Sequence, residues 1–180
     1  WQIQARAELE LRRRRARRMA AAAPMPGFGD WLDVVRPDWS SHWRYPFLKF
    51  VRERLAEMRR GEFDRAMLFM PPRHFKSQMV TVHHSAYLLE RDPTTRIIIG
   101  SYNSDLAQEF GGQVRAIVAE RVGLAFGSAS ARSWKTKEGG GVRSVGVGSG
   151  VTGFGGQWLV LDDVVKSREE ANSLAYRDRA

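Results

Sequence analysis

One run narrows the possible folds more than any other: Arg65-Ala66-Met67-Leu68-Phe69-Met70-Pro71-Pro72-Arg73-His74-Phe75-Lys76-Ser77-Gln78. Ala66 to Met70 carry no charge and read as a buried strand. Pro71 and Pro72 open a tight turn. Lys76-Ser77 then begins a helical run whose apolar residues are Met79, Val80, Val82, Ala86, Leu88 and Leu89. Strand, turn, Lys-Ser and helix, in that order, are the parts of a phosphate-binding loop. Backbone N–H groups of the loop and the first helical turn face an anion, and the helix dipole adds partial positive charge. The lysine supplies a mobile charge for the β and γ phosphates, and the serine hydroxyl can ligate Mg²⁺. The candidate nucleotide contacts are therefore Pro72, Arg73, His74, Phe75, Lys76, Ser77 and Gln78.

Against the pattern G-x-x-x-x-G-K-[ST], the two glycine positions hold Met70 and Phe75. Prolines can fix the turn in place of the first glycine. The second normally lets backbone approach phosphate closely in an unusual conformation. A plain strand-to-helix turn that happens to contain Lys-Ser stands as the alternative.

A second run, Gln157-Trp158-Leu159-Val160-Leu161-Asp162-Asp163, reads as a strand ending in two acids. In a nucleotide-binding α/β sheet the first acid at a strand's carboxyl end holds Mg²⁺, and the next carboxylate can polarise the attacking water. Ligands of open α/β sheets bind at the carboxyl ends of the strands, where both runs deliver their polar residues. Alone, Asp162-Asp163 reads as a solvated turn. The two runs in this order predict a P-loop nucleotide-hydrolysing fold.

Composition bounds the rest. A chain of 180 residues, 43% hydrophobic and 27% charged, is long enough to bury a core. It has no cysteine, which excludes disulfides and thiolate metal sites. The net charge of +9 and pI near 10.6 point to an anionic partner, with nucleic acid the default. No apolar run approaches the roughly 20 residues of a membrane span.

Residues 1–23 read as a basic helical arm, with Arg12 to Arg15, Arg17 and Arg18 as its charged block; a solvated helix and a contact to phosphates both fit. Residues 24–43 read as linker and turn. Trp31, Trp39 and Trp43 there suit packing anchors better than a base-stacking platform. Residues 44–180 read as the nucleotide-binding domain. Within it, Phe47, Val51, Leu55 and Met58 recur at helical spacing. Arg96-Ile97-Ile98-Ile99-Gly100 is a second strand. Leu106, Phe110, Val114, Ile117 and Val118 mark a helix after it, with Ser101 to Ser104 either capping that helix or bordering the site. Strand–helix alternation predicts a parallel α/β sheet. The glycine-rich residues 127–156, with alternating valines from Val142 to Val151, read as a short strand pair with loops. Glu169-Glu170-Ala171-Asn172-Ser173 begins a last helix capped by Ser167.

Taken together, residues from about Pro46 to Ser173 resemble the ATPase domain of a tailed-phage terminase large subunit, the motor that packages DNA. The resemblance is carried by Pro71-Pro72-Arg73-His74-x-Lys76-Ser77, by Gly148-Ser149-Gly150-Val151-Thr152-Gly153-x-Gly155, and by Leu159-Val160-Leu161-Asp162-Asp163 with Lys166 and Glu169-Glu170-Ala171-Asn172-Ser173 behind it. It implies a RecA-like P-loop core and ATP hydrolysis with Mg²⁺, coupled to translocation of double-stranded DNA. The implied setting is a homo-oligomeric ring on the portal protein, working with the terminase small subunit at the procapsid in the host cytoplasm, with no membrane involved. The implied roles are phosphate and Mg²⁺ binding by Lys76 and Ser77, contact to the γ-phosphate by Arg73, metal binding by Asp162, and base action by Asp163.

Three departures from the family pattern bear on activity. Phe75 stands where glycine is usual. Phe154 stands where an arginine finger is common, leaving Arg143 or Arg132 as the candidate substitute. Asp163 is a methylene shorter than the glutamate of many such motors. In extent, the chain stops short of the strand that the resemblance places between the acid strand and the loop strand, and of the nuclease domain. It is thus expected to be part of a larger protein, or rearranged. Two other functions stay open: a degenerate nucleotide fold that binds DNA or a partner without turnover, and a helicase-type ATPase.

Overall fold

A computed structural model of the chain describes residues 25–128, 130–150, 153–167, 169, 172 and 173. The expected basic arm, and Val151, Thr152, Glu170 and Ala171 of the resemblance motifs, lie outside them. The chain divides between Glu62 and Phe63 into two compact units.

The first unit is helical: α1 (Phe28–Val35), a 3-10 turn (Pro37–Trp39), α2 (Ser40–Trp43) and α3 (Pro46–Arg59). Much of the stretch expected as linker is therefore folded. Its Pro and Gly residues signal turns, but Trp31, Leu32 and Trp43 are fully buried, and burying large aromatics outweighs the local preference. Arg36 stacks 3.5 Å from the Trp39 ring, which in turn meets Trp43 edge-on at 5.5 Å. Pro46 opens α3, where its missing N–H costs nothing. Leu48, Val51 and Leu55 form the buried stripe of α3, while Phe47 is exposed.

The second unit is α/β. A π-helical segment (Ser77–His84) runs into α4 (Ser85–Arg91), followed by β1 (Arg96–Ser101), α5 (Ser104–Arg121), β2 (Ser133–Lys135), β3 (Gly141–Gly146) and β4 (Trp158–Leu161). The sheet order is β2-β3-β1-β4. β1, β3 and β4 are parallel, and β2 is antiparallel on β3, so the sheet is mixed rather than all-parallel. A short strand pair does form within residues 127–156, β2 antiparallel to β3, and it joins the main sheet because Val142 registers with Trp134 of β2 on one side and Ile97 of β1 on the other.

Strand alternation sorts the two faces of the sheet. Ile97, Ile99 and Val142 are fully buried on one face, where α5 crosses β1 and β3. Close contact there requires glycine: a Cβ on Gly111 of α5 would lie 2.2 Å from Ser144 Oγ. Trp134 Nε1 donates to the Gly111 carbonyl at 3.0 Å, locking β2 to the same point. The other face carries Ile98, Leu159 and Leu161. Gly156, just before β4, comes close to it: a Cβ there would sit 3.1 Å from Ile98. Leu159 and Leu161 stay 61% exposed.

Ala66 to Met70 do not form the expected strand. Among the described residues it pairs with no strand, and Met67 is 81% and Phe69 87% exposed. An apolar run has strand propensity, but a strand exists only through a partner. Among the described residues β4, the strand that ends in the acids, lies at the edge of the sheet and pairs with β1 alone. Among the described residues no helix is long and apolar enough to cross a membrane.

Candidate functional site

The two runs meet. Lys76, 87 residues before Asp163 in sequence, places Nζ 2.8 Å from Asp163 Oδ1 and 2.9 Å from Asp162 Oδ1. Each partner is positioned differently. Lys76 stands at the start of the helix that continues as the π-helical segment, and Met79 N donates to the Phe75 carbonyl at 2.8 Å. Asp162 continues the β4 ladder, its N–H donating to the Gly100 carbonyl at 2.9 Å. Asp163 leaves the ladder with a left-handed backbone, φ 49°. Successive side chains of a strand point to opposite faces. The left-handed turn at Asp163 breaks that alternation and lets two adjacent carboxylates reach one ammonium. The Asp163 carbonyl is caught at the end of β1 by Tyr102 N–H at 3.0 Å and by the Ser101 hydroxyl at 3.4 Å.

The loop itself is held out of its relaxed conformation. Arg73 and Phe75 have φ of 62° and 63°, a region that costs a non-glycine residue roughly 1–2 kcal/mol. Phe75 thus adopts the backbone that the motif reserves for glycine, although it carries a side chain. His74 donates from Nδ1 to the Pro72 carbonyl at 2.8 Å, closing the turn on itself. A cleft of about 350 Å³ opens here, lined by Met70, Pro71, Pro72, Arg73, Phe75, Lys76, Ser77, Gln78 and Asp163.

Of the sequence-predicted residues, Pro72, Arg73, Phe75, Lys76, Ser77, Gln78 and Asp163 share this cleft, and Asp162 reaches it through Lys76. His74 turns onto its own loop. Arg143 does not join them: it lies in mid-β3 with its guanidinium 5.7 Å from the Phe154 ring, outside the cleft lining. Sequence reasoning missed Thr81, whose hydroxyl donates to Asp162 Oδ2 at 2.8 Å, and Gln113, which accepts from Gln78 Nε2 at 2.9 Å. The signal for Thr81 was a polar residue inside the otherwise apolar run Met79 to Val82.

Electrostatics follow from this geometry. Partial burial of Lys76 pushes its pKa down. Hydrogen bonds to Asp163 and Asp162, with their negative charges, push it up and prevail, so the ammonium is held above its ordinary range. Asp162 is almost fully buried, whereas Asp163 is 58% exposed in its side chain.

The donor set suits a hard cation. Two carboxylates converge on one positive charge, and Ser77 lines the same cleft. Among the described residues no cluster of three or more His, Asp or Glu side chains gathers. Mg²⁺ commonly uses one or two carboxylates and completes its shell with water and phosphate oxygens. The chain matches no protein-family model, no curated protein and no solved structure.

Proposed function

We propose that this chain binds and hydrolyses ATP with Mg²⁺ through a RecA-like P-loop core, and that hydrolysis drives double-stranded DNA into a viral procapsid. The observation that carries the nucleotide reading is the bridge from Lys76 to both Asp162 and Asp163. A lysine at the start of a helix and two acids at a strand end share one rim, where a triphosphate and its cation would be handled together. The packaging assignment rests on the terminase-like motifs and the basic charge of the chain.

In this reading Lys76 exchanges its carboxylate partners for the β and γ phosphates when nucleotide enters. Arg73, exposed at the lip of the cleft, reaches the γ-phosphate side. Asp163 is then released to orient water, consistent with its exposure. Asp162 and Ser77 would hold Mg²⁺, which would supply charge neutralisation at the phosphates. Catalysis here is positioning plus electrostatic stabilisation.

Phosphate release from Mg·ATP, measured on the full chain with and without duplex DNA, tests the reading. Turnover that disappears in Lys76→Ala and rises with DNA supports it. A second reading, a nucleotide-type fold that binds DNA without turnover, is favoured by the strained Phe75 and by Phe154 facing Arg143. Turnover that is absent in the native sequence but emerges in the Phe75→Gly, Phe154→Arg double variant selects that second reading.

A further inference from the structure

We infer that Thr81 is a positioning residue: it holds Asp162 in its cation-facing orientation while Lys76 changes partners. The inference rests on the nucleotide reading above. A threonine inside a helix can satisfy its hydroxyl locally by donating to the carbonyl one turn back, which here belongs to Ser77. Thr81 instead donates to Asp162, 81 residues away in sequence, at 2.8 Å. Both residues are almost fully buried, Thr81 at 1% and Asp162 at 3% exposure.

The two oxygens of Asp162 are held differently. Oδ1 meets the ammonium of Lys76, on a long stem that is 29% exposed in its side chain; Oδ2 meets the short, buried side chain of Thr81. When Lys76 turns to phosphate, Oδ1 is left open for a cation. The terminal torsion of an aspartate is broad and lacks a strong intrinsic preference. The Thr81 bond therefore fixes the carboxylate plane through the exchange. Among the described residues Asp163 has no such buried clamp on its carboxylate: its carbonyl is anchored at β1, while its Oδ1 is held by Lys76. Departure of Lys76 thus leaves one acid fixed and frees the other, which is the division of labour a metal ligand and a water-orienting group require.

The test is Mn²⁺ uptake by the full chain in the presence of a non-hydrolysable ATP analogue, followed by electron paramagnetic resonance. Metal-free affinity for the analogue is measured alongside. Thr81→Val, which keeps the shape and removes the hydroxyl, is expected to weaken Mn²⁺ binding ~10-fold or more, while Thr81→Ser stays within about 2-fold of native. Metal-free analogue affinity is expected to be unchanged in both, a pattern that general loosening of the helix would not give. Native Mn²⁺ affinity in a folded Thr81→Val chain overturns the inference and leaves the nucleotide reading standing. Should Thr81→Val fail to fold, the Thr81→Ala and Thr81→Ser pair decides in the same way. Absence of Mn²⁺·analogue uptake in the native chain overturns both at once, and is recognised because it needs no substitution.

Discussion

Two turns in the second unit lead into a helix, and they are built in opposite ways. At the end of β1, Asn103 has ordinary extended dihedrals and caps α5, its Oδ1 accepting from Leu106 N–H at 2.9 Å. At residues 71–77 the feeding segment is unpaired and exposed. Two non-glycine residues sit at positive φ, and no side chain caps the helix that follows. The first turn follows local rules. The second departs from them where the cleft opens, and such strain persists only where surrounding contacts hold it. Here those contacts are the Lys76 bridge and the His74 closure. The two turns also touch one residue in common. Tyr102 of the relaxed turn holds the Asp163 backbone, and Lys76 of the strained turn holds its carboxylate.

The sharpest way to break this contrast is Lys76→Ala. On the proposed nucleotide reading, removing the charge that would meet the phosphates is expected to lower ATP turnover about 100-fold or more. Asn103→Ala in the same phosphate-release assay should leave turnover near native, and equal losses in both would erase the distinction.

Next in size is the strain at Phe75. Phe75→Gly and Phe75→Ala lose the same ring, but only glycine takes a positive φ freely. The glycine variant is expected to be more stable in urea by roughly 1–2 kcal/mol. At an ordinary helical position the order is reversed, with alanine better by about 1 kcal/mol. Finding alanine better at residue 75 would remove the strained backbone from the account.

Asn103→Ala removes a regular cap and is expected to cost about 1 kcal/mol in urea midpoint analysis. The smallest effect is in pH. Lys76 has a folded-state pKa above its ordinary value of 10.5, so its contribution to stability is complete below that value. The contribution fades as pH rises through the higher folded value. The stability gap between the native chain and Lys76→Met should therefore be flat from neutral pH up to the ordinary lysine range and narrow above it. A gap that changes around neutrality would point to a different titrating group.

The sequence alone determined the elements whose signals are local. β1 and β4 follow from short apolar runs, α5 from its repeating Leu106, Phe110, Val114 and Val118 with Asn103 before it, and the candidate site from Lys76-Ser77 and Asp162-Asp163. Charge, turn chemistry and periodicity are written within a few neighbouring residues, which is why these could be read. Tertiary structure decided the rest. It left Ala66–Met70 unpaired, drew the linker-like stretch around Trp31 and Trp43 into helices, and added β3 to the main sheet. It also brought Thr81 onto Asp162 and turned Asp163 through a left-handed backbone so that both acids meet one lysine. Each of these depends on which distant partner is available. A strand needs an edge, a tryptophan needs a core, and a hydroxyl inside a helix chooses between its own backbone and a carboxylate that only the fold brings within reach.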